Sequence, residues 1–276
     1  MASLVVGVDG SGESLAALSW AVSLAGAEAT VVAVEIVRAD VVTPSWAAAA
    51  RSVGATEVRQ VAADEVWTGL SAVADELDAS GVVVGAHRSE AGSGRSLGRV
   101  TAHLVRHATR PVLVHRTASG RGGDGGPPTV AVGVGDGPAT EAALRWAASW
   151  TVAQGLHLRL VRAVGRPSLR RPDSVFDLLA RTIDPAAPQQ LAESDLAALA
   201  VELRREAGDE LSVDWEADSG GAAAGLVRAT AGSDLLVVGR HTGRLSERLV
   251  SPSLHHVLTH ASCPVVVVPA PVTDAG

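Results

Sequence analysis

The chain is written twice. Residues 4–20, LVVGVDGSGESLAALSW, align without a gap on residues 130–146, VAVGVGDGPATEAALRW, which sets Gly7 on Gly133, Ala17 on Ala143 and Trp20 on Trp146 at an offset of 126. Further along, GVVVGAHR at 81–88 matches LLVVGRH at 235–241 at an offset of 154, pairing Gly85 with Gly239 and His87 with His241. HATRPVLV at 107–114 then matches HASCPVVV at 260–267 at an offset of 153. Three matches in the same order mark an internal duplication, so the 276 residues are expected to fold as two related units. The offset grows by 28 residues between the first and second matches, which gives the second unit about one extra helix and loop near residues 166–190. Between the units lies TASGRGGDGGPP at 117–128, a Gly-rich linker with a stiff Pro-Pro end. The units are therefore placed at 1–116 and 129–276.

Each unit alternates strand-like and helix-like runs. In the first, Leu4–Val8, Val31–Val37, Val82–Val84 and Pro111–His115 are apolar and short enough for buried strands. Helical spacing appears over 15–24, over 64–77 (Val66, Leu70, Val73 and Leu77) and over 100–108. The second unit shows strands near 130–134, 156–164, 211–217, 234–238 and 264–268. Buried parallel strands with right-handed helical crossovers make each unit a doubly wound α/β sandwich, Rossmann-like, the two in tandem.

Composition removes several function classes. All 23 basic residues are arginine, so no P-loop, Schiff-base or kinase lysine exists. The net charge is −7 and aromatics are 3%, with no tyrosine, a poor basis for binding nucleic acid. Abundant Ala, Arg, Gly and Val in place of Lys and Tyr points to a GC-rich, bacterial genome. A single cysteine, Cys263, precludes an intrachain disulfide and fits a reducing cytoplasm. The first residues read as a strand rather than a signal peptide, and no apolar run nears the ~18 residues of a membrane span, so no membrane partner is expected.

In an open parallel sheet, ligands sit beyond the carboxyl ends of the strands. Here those ends are Asp9–Gly12 and the stretch from Gly85 to Gly98. VVGVDGSGESLAALSWA, followed by VVVGAHR…LGRVTAHLVRHATRPVLV, resembles the universal stress protein family in its tandem form. The resemblance covers nearly the whole chain. It implies the adenine nucleotide α-hydrolase-like fold and a non-enzymatic, cytoplasmic stress-response regulator. In ATP-binding members it implies a loop G-x-x-G, nine residues, then G-[S/T], whose glycines let the backbone approach phosphates at a helix N-terminus. By position, Asp9 matches the aspartate ending the first strand, Ile36 the apolar contact on the second, Gly85 and Gly98 the first and third glycines, and Thr101 a later hydroxyl. Arg88 replaces the second glycine and Arg99 the Ser/Thr, so the ATP site of the first copy is degenerate. His87 recurs as His241 and reads as loop-ordering. In the second copy Gly135 stands under Asp9, Thr242 replaces the second glycine, and Ser251-Pro252 form a self-capped helix start; that site is expected to be vestigial.

Arg99 opens a helix, where a cation is electrostatically misplaced and an anion is expected nearby. The favoured partner is Asp9, closing the pocket from within; the alternative is a phosphate gripped by Arg88, Arg95 and Arg99. The family's edge pairing implies an intramolecular pseudo-dimer through 111–115 and 264–268, with any further protein partner unidentified. A ligand-free interaction scaffold and an adenylate-handling enzyme of this fold are the alternatives. G-x-S-x-G at 94–98 lies too far from a strand end for a nucleophile elbow, and Gly133-Val-Gly135 lacks the third glycine and acid of a dinucleotide fingerprint. His103/His107 and His256/His260 lack a carboxylate or cysteine that would complete a metal set. Asp64-Glu65 reads as helix-start charge. Val175, Phe176, Leu178, Leu179 and Ile183 allow one amphipathic helix in the insert.

Overall fold

The computed structural model describes residues 3–26, 29–37, 46–86, 97–116, 127–164, 187–208, 210–240 and 250–271. In the first copy these form β1 (Ser3–Gly7), α1 (Gly12–Ala25), β2 (Thr30–Val37), α2 (Ala47–Val53), β3 (Glu57–Ala62), α3 (Val66–Glu76), β4 (Gly81–Gly85), α4 (Arg99–His107) and β5 (Val112–His115). In the second they form β6 (Thr129–Gly133), α5 (Pro138–Gln154), β7 (His157–Ala163), α6 (Ala187–Ala207), β8 (Ser212–Asp218), α7 (Ala222–Ala229), β9 (Leu235–Arg240), α8 (Pro252–His260) and β10 (Val265–Pro269).

The strands make one sheet in the order β3-β2-β1-β4-β5-β10-β9-β6-β7-β8. Within each copy every pairing is parallel and the strand order is the same. At the centre β5 and β10 run antiparallel, with Val265 opposite Val114, Val266 opposite Leu113 and Val267 opposite Val112. Two edges that would each expose unpaired N–H and C=O groups thereby satisfy one another. Helices α1, α2, α5 and α6 cover one face over a core containing Leu18, Val6, Val132 and Leu196. Helices α3, α4, α7 and α8 cover the other, over Val5, Leu70, Leu104, Leu236 and Leu258.

The join is reinforced by two arginines at helix C-termini, where carbonyls lack partners and a cation meets the negative end of the dipole. Arg240 donates through Nη1 to the carbonyls of Val105, Arg106 and Ala108 at 2.9–3.1 Å, closing α4 from the second copy. Arg116 donates to the carbonyl of Leu258 in α8 at 2.6 Å.

The alternating plan read from the sequence is present, with two additions in the first copy. Strand β3 carries only Val58 and Val61 among polar neighbours, because it is an edge strand with no residue fully buried. Helix α2 is a seven-residue Ala-rich turn, too short for periodicity to reveal. Part of the second copy's extra length lies in α6, which has 21 residues where α2 has 7. The amphipathic stretch around Phe176 and nearly all of the 117–128 linker fall outside the described residues.

Candidate functional site

At the carboxyl ends of β1, β2 and β4 the first copy opens a cavity of about 390 Å³. Six of the eight candidate residues line it: Asp9, Ile36, Gly85, Gly98, Arg99 and Thr101. His87 and Arg88, like Arg95, lie outside the described residues.

The rim is built by local chemistry. Gly10, at φ +82°, makes a turn that an L side chain resists, and Trp46 packs beneath it. Beyond the turn Ser11 caps α1, its Oγ accepting from the Ser14 N–H at 3.2 Å. Asp9 Oδ1 accepts from the Ser11 N–H at 3.0 Å and the Ser11 hydroxyl at 2.6 Å, which fixes the carboxylate at the rim. Burial pushes the Asp9 pKa up, but the hydrogen bonds involving Ser11 and Ser14 outweigh it, and the carboxyl titrates below its ordinary value. Asp9 is therefore an anion at neutral pH, able to accept from a ligand hydroxyl or amine.

Opposite stands the start of α4. Gly98 is its N-cap and provides no side-chain cap, so among the described residues the first-turn N–H groups have no acceptor. Arg99, Val100 and Thr101, which carry those groups, all line the cavity. N–H groups without a side-chain cap and the positive end of the helix dipole make this wall receptive to an anion. The buried Thr101 hydroxyl donates to the Gly85 carbonyl at 3.3 Å, tying the strand end to the helix start across the intervening segment. The floor is apolar, formed by Val34, Leu70 and Val84 beside Ile36, whose Cδ1 would lie 2.6 Å from a Cβ placed on Gly69. Only a glycine there lets α3 lie this close to β2.

The expected Asp9–Arg99 pair does not form. Arg99 Nη2 instead reaches Glu65, 3.1 Å from Oε1 and 3.2 Å from Oε2. Glu65 is the N-cap residue of α3, next to α4 on the same face, so this pair joins two helix starts and leaves Asp9 to Ser11. The sequence showed Asp64-Glu65 as helix-start charge but gave no spacing that links Glu65 to a residue 34 positions away. Ser11 and Ser14 do carry a local signal, since Ser-x-x-Ser after a strand end is a capping pattern.

The second copy arranges the same elements differently. Ser251 caps α8, its Oγ accepting from the Leu254 N–H at 3.2 Å, with Pro252 at the first helical position. The matching position to Asp9 is Gly135, but an acid follows one residue later. Asp136 pairs with Arg162 of β7 at 3.2 Å, and Arg162 also reaches Asp195 of α6 at 3.2 Å. The strand-end glycines differ most. A Cβ on Gly85 would lie 3.6 Å from the Glu13 carbonyl oxygen, whereas one on Gly239 would lie 2.3 Å from that of Ala139. The start of α5 thus presses on its strand end where the start of α1 stands back.

The histidine pairs serve packing. Trp67 stacks with His103 at 5.7 Å and meets His107 at 5.2 Å, and His256 stacks on His260 at 4.1 Å. Burial, then the charges of Arg106, His103 and Arg240, lower the His107 pKa. Among the described residues no group of three or more His, Cys, Asp or Glu could hold a metal ion, and no helix is long and apolar enough to cross a membrane.

The profile of the Universal stress protein family matches residues 45–116 and 128–269. Among solved structures, a universal stress protein from Archaeoglobus fulgidus superposes with a TM-score of 0.63 at 15% identity, over 97% of this chain and 96% of that one. A functionally unknown protein from Pseudomonas aeruginosa PAO1 superposes with a TM-score of 0.63 at 17% identity, over 98% and 92%. At these identities the likeness shows a shared fold across the whole tandem. No curated protein matches the chain by sequence.

Proposed function

Starting from the chain's membership of the universal stress protein family, which the matched residues establish, we propose that it is a non-enzymatic regulator that binds one adenine nucleotide, in the first copy. One observation carries this reading. The α4 start has no side-chain cap from its N-cap residue, Gly98, and faces a cavity whose other side holds an ionised carboxylate and an apolar floor. The anion-receptive wall suits a phosphate, Asp9 suits a ribose hydroxyl or base amine, and Ile36, Val34 and Leu70 suit the flat faces of the base. The hydroxyls of Ser11, Ser14 and Thr101 that line the cavity are all engaged in structural hydrogen bonds, which supports reading the site as one that holds a ligand rather than transforms it. The second copy, with its helix start capped and its acid paired, serves as the structural partner across β5 and β10. The cytoplasm is the proposed location.

A second reading, a ligand-free scaffold, is favoured by one feature: Arg99 already has an anion in Glu65. Mass spectrometry of small molecules released from gently purified protein separates the two. Near-stoichiometric adenine nucleotide supports the first reading; protein that is empty and stays empty after incubation with millimolar ATP supports the second.

A further inference from the structure

Where the two copies meet, a second cavity of about 400 Å³ opens, as large as the first. The antiparallel pairing of β5 with β10 sets the carboxyl end of one strand beside the amino end of the other. The cavity lies there, at the end of β5 and the starts of β6, β9 and β10, beside the last turns of α1 and α5. Both copies line it, so neither would form it alone. Its apolar wall includes the indoles of Trp20 and Trp150, with Leu24 and Leu156. Both indoles are held in place: Trp150 stacks on Trp146 at 5.5 Å with the rings 1° from parallel, and Trp20 meets His115 at 5.5 Å.

Most polar groups at this cavity are already used. Arg116 donates to the Leu258 carbonyl, and Asp234 accepts from the Thr129 N–H at 2.9 Å. The Thr230 and Ser262 hydroxyls bond one another at 3.0 Å, while those of Ser23 and Ser233 donate to carbonyls of their own segments. His115 differs. Its imidazole is half-buried at the cavity wall and, among the described residues, makes no hydrogen bond. Burial lowers its pKa, so at neutral pH the ring is uncharged and offers one donor and one acceptor. The residue that the duplication sets opposite His115 is Val268, so this imidazole belongs to one copy only.

We propose that the cavity between the copies binds a neutral, planar aromatic molecule that carries a hydroxyl, of the phenol or naphthol class. A flat ring gains from indole and imidazole walls what a saturated ring of the same size does not. A hydroxyl can donate or accept, so it satisfies His115 whichever ring nitrogen holds the proton. A charged ligand would be desolvated beside an arginine and an aspartate that already have partners.

Equilibrium dialysis of the full chain tests this with three probes: α-naphthol, its saturated counterpart decalol, and α-naphthalenesulfonate. Naphthol is expected to saturate, with decalol about fivefold weaker and the sulfonate at least about tenfold weaker. His115→Leu should weaken naphthol about fivefold, the loss of one hydrogen bond. Ser23→Trp, at an exposed position on the rim, should plug the cavity and weaken it at least about tenfold without unfolding the chain. Asp9→Ala should leave naphthol affinity within about twofold, because that residue lines the other cavity. Naphthol that fails to saturate below its solubility limit would overturn the site. Decalol or sulfonate binding as tightly as naphthol would overturn the ligand class. Affinity that survives Ser23→Trp, or that is lost in Asp9→Ala, would place the probe elsewhere and overturn the assignment. Should His115→Leu fail to fold, Ser23→Trp decides the location.

Discussion

Substituting the two strand-end glycines measures directly how differently the copies are built. At Gly239 an added Cβ would sit 2.3 Å from Ala139 O, 2.5 Å from Ala139 C and 2.9 Å from Thr140 N. The closest approach is more than an ångström inside the ~3.5 Å at which non-bonded atoms attract. All three atoms are backbone at the start of α5, so no side chain can swing away; the first turn of the helix has to move. Overpacking of this kind costs about 1–3 kcal/mol, and an obstacle that is wholly backbone places Gly239→Ala near 3 kcal/mol. For a chain of this size that corresponds to a fall in Tm of roughly 6–12 °C. At Gly85 the nearest atom is 3.6 Å away, an ordinary contact, so Gly85→Ala is expected to stay within about 1 kcal/mol of wild type. Thermal and urea unfolding of both variants under one set of conditions tests this. Equal losses, or a Gly239→Ala variant within 1 kcal/mol of wild type, would refute the close approach of the α5 backbone to the Gly239 strand end.

Three further outcomes follow from particular groups. Burial, then the charge of Asp234, pushes the Cys263 thiol up to about 12, so Ellman's reagent at pH 8 should leave native protein unmodified and react fully once denaturant is added; fast labelling of the native chain would contradict the packing of β10. The hydrogen bond from Arg228 holds the Asp218 carboxyl below its usual 3.8, so its stabilising contribution is complete above that pH and is lost as pH falls through the lowered value. Asp218→Asn should therefore lower the urea midpoint at pH 7, with a smaller gap from wild type at pH 3; a gap that widens in acid has the wrong sign. Arg99→Ser removes an exposed ion pair and should change stability by less than about 1 kcal/mol while weakening ATP binding roughly fivefold. Tighter binding on calorimetric titration would mean that Arg99 obstructs the site.

What could be read from the sequence was whatever is local or repeated. The duplication carried the register: Gly7 and Gly133 end equivalent strands, and a Cβ on either would meet the δ-carbon of an equivalent leucine, Leu70 or Leu226, at 2.9 Å. The Ser251-Pro252 start was legible because a cap is a contact between residues three apart. The central strands were legible because burial on both faces leaves only apolar residues to choose. Strand β3 was not, since an edge strand with Glu57, Arg59 and Gln60 looks like a loop. The helix-start position of Arg99 calls for an anion and favours Asp9 over a phosphate, whereas the partner is Glu65. Choosing Glu65 needs the side-by-side packing of α3 and α4, which no local pattern encodes. The clash at Gly239 was equally hidden, because the two copies spell their strand ends alike and differ in how closely the following helix approaches.

Calorimetric titration of the full chain with MgATP tests the central claim most directly. One site per chain is predicted, lost or weakened at least tenfold in Asp9→Ala and unchanged in Asp136→Ala. Two equal sites per chain, or one site that persists in Asp9→Ala and disappears in Asp136→Ala, would contradict the assignment of the ligand to the first copy.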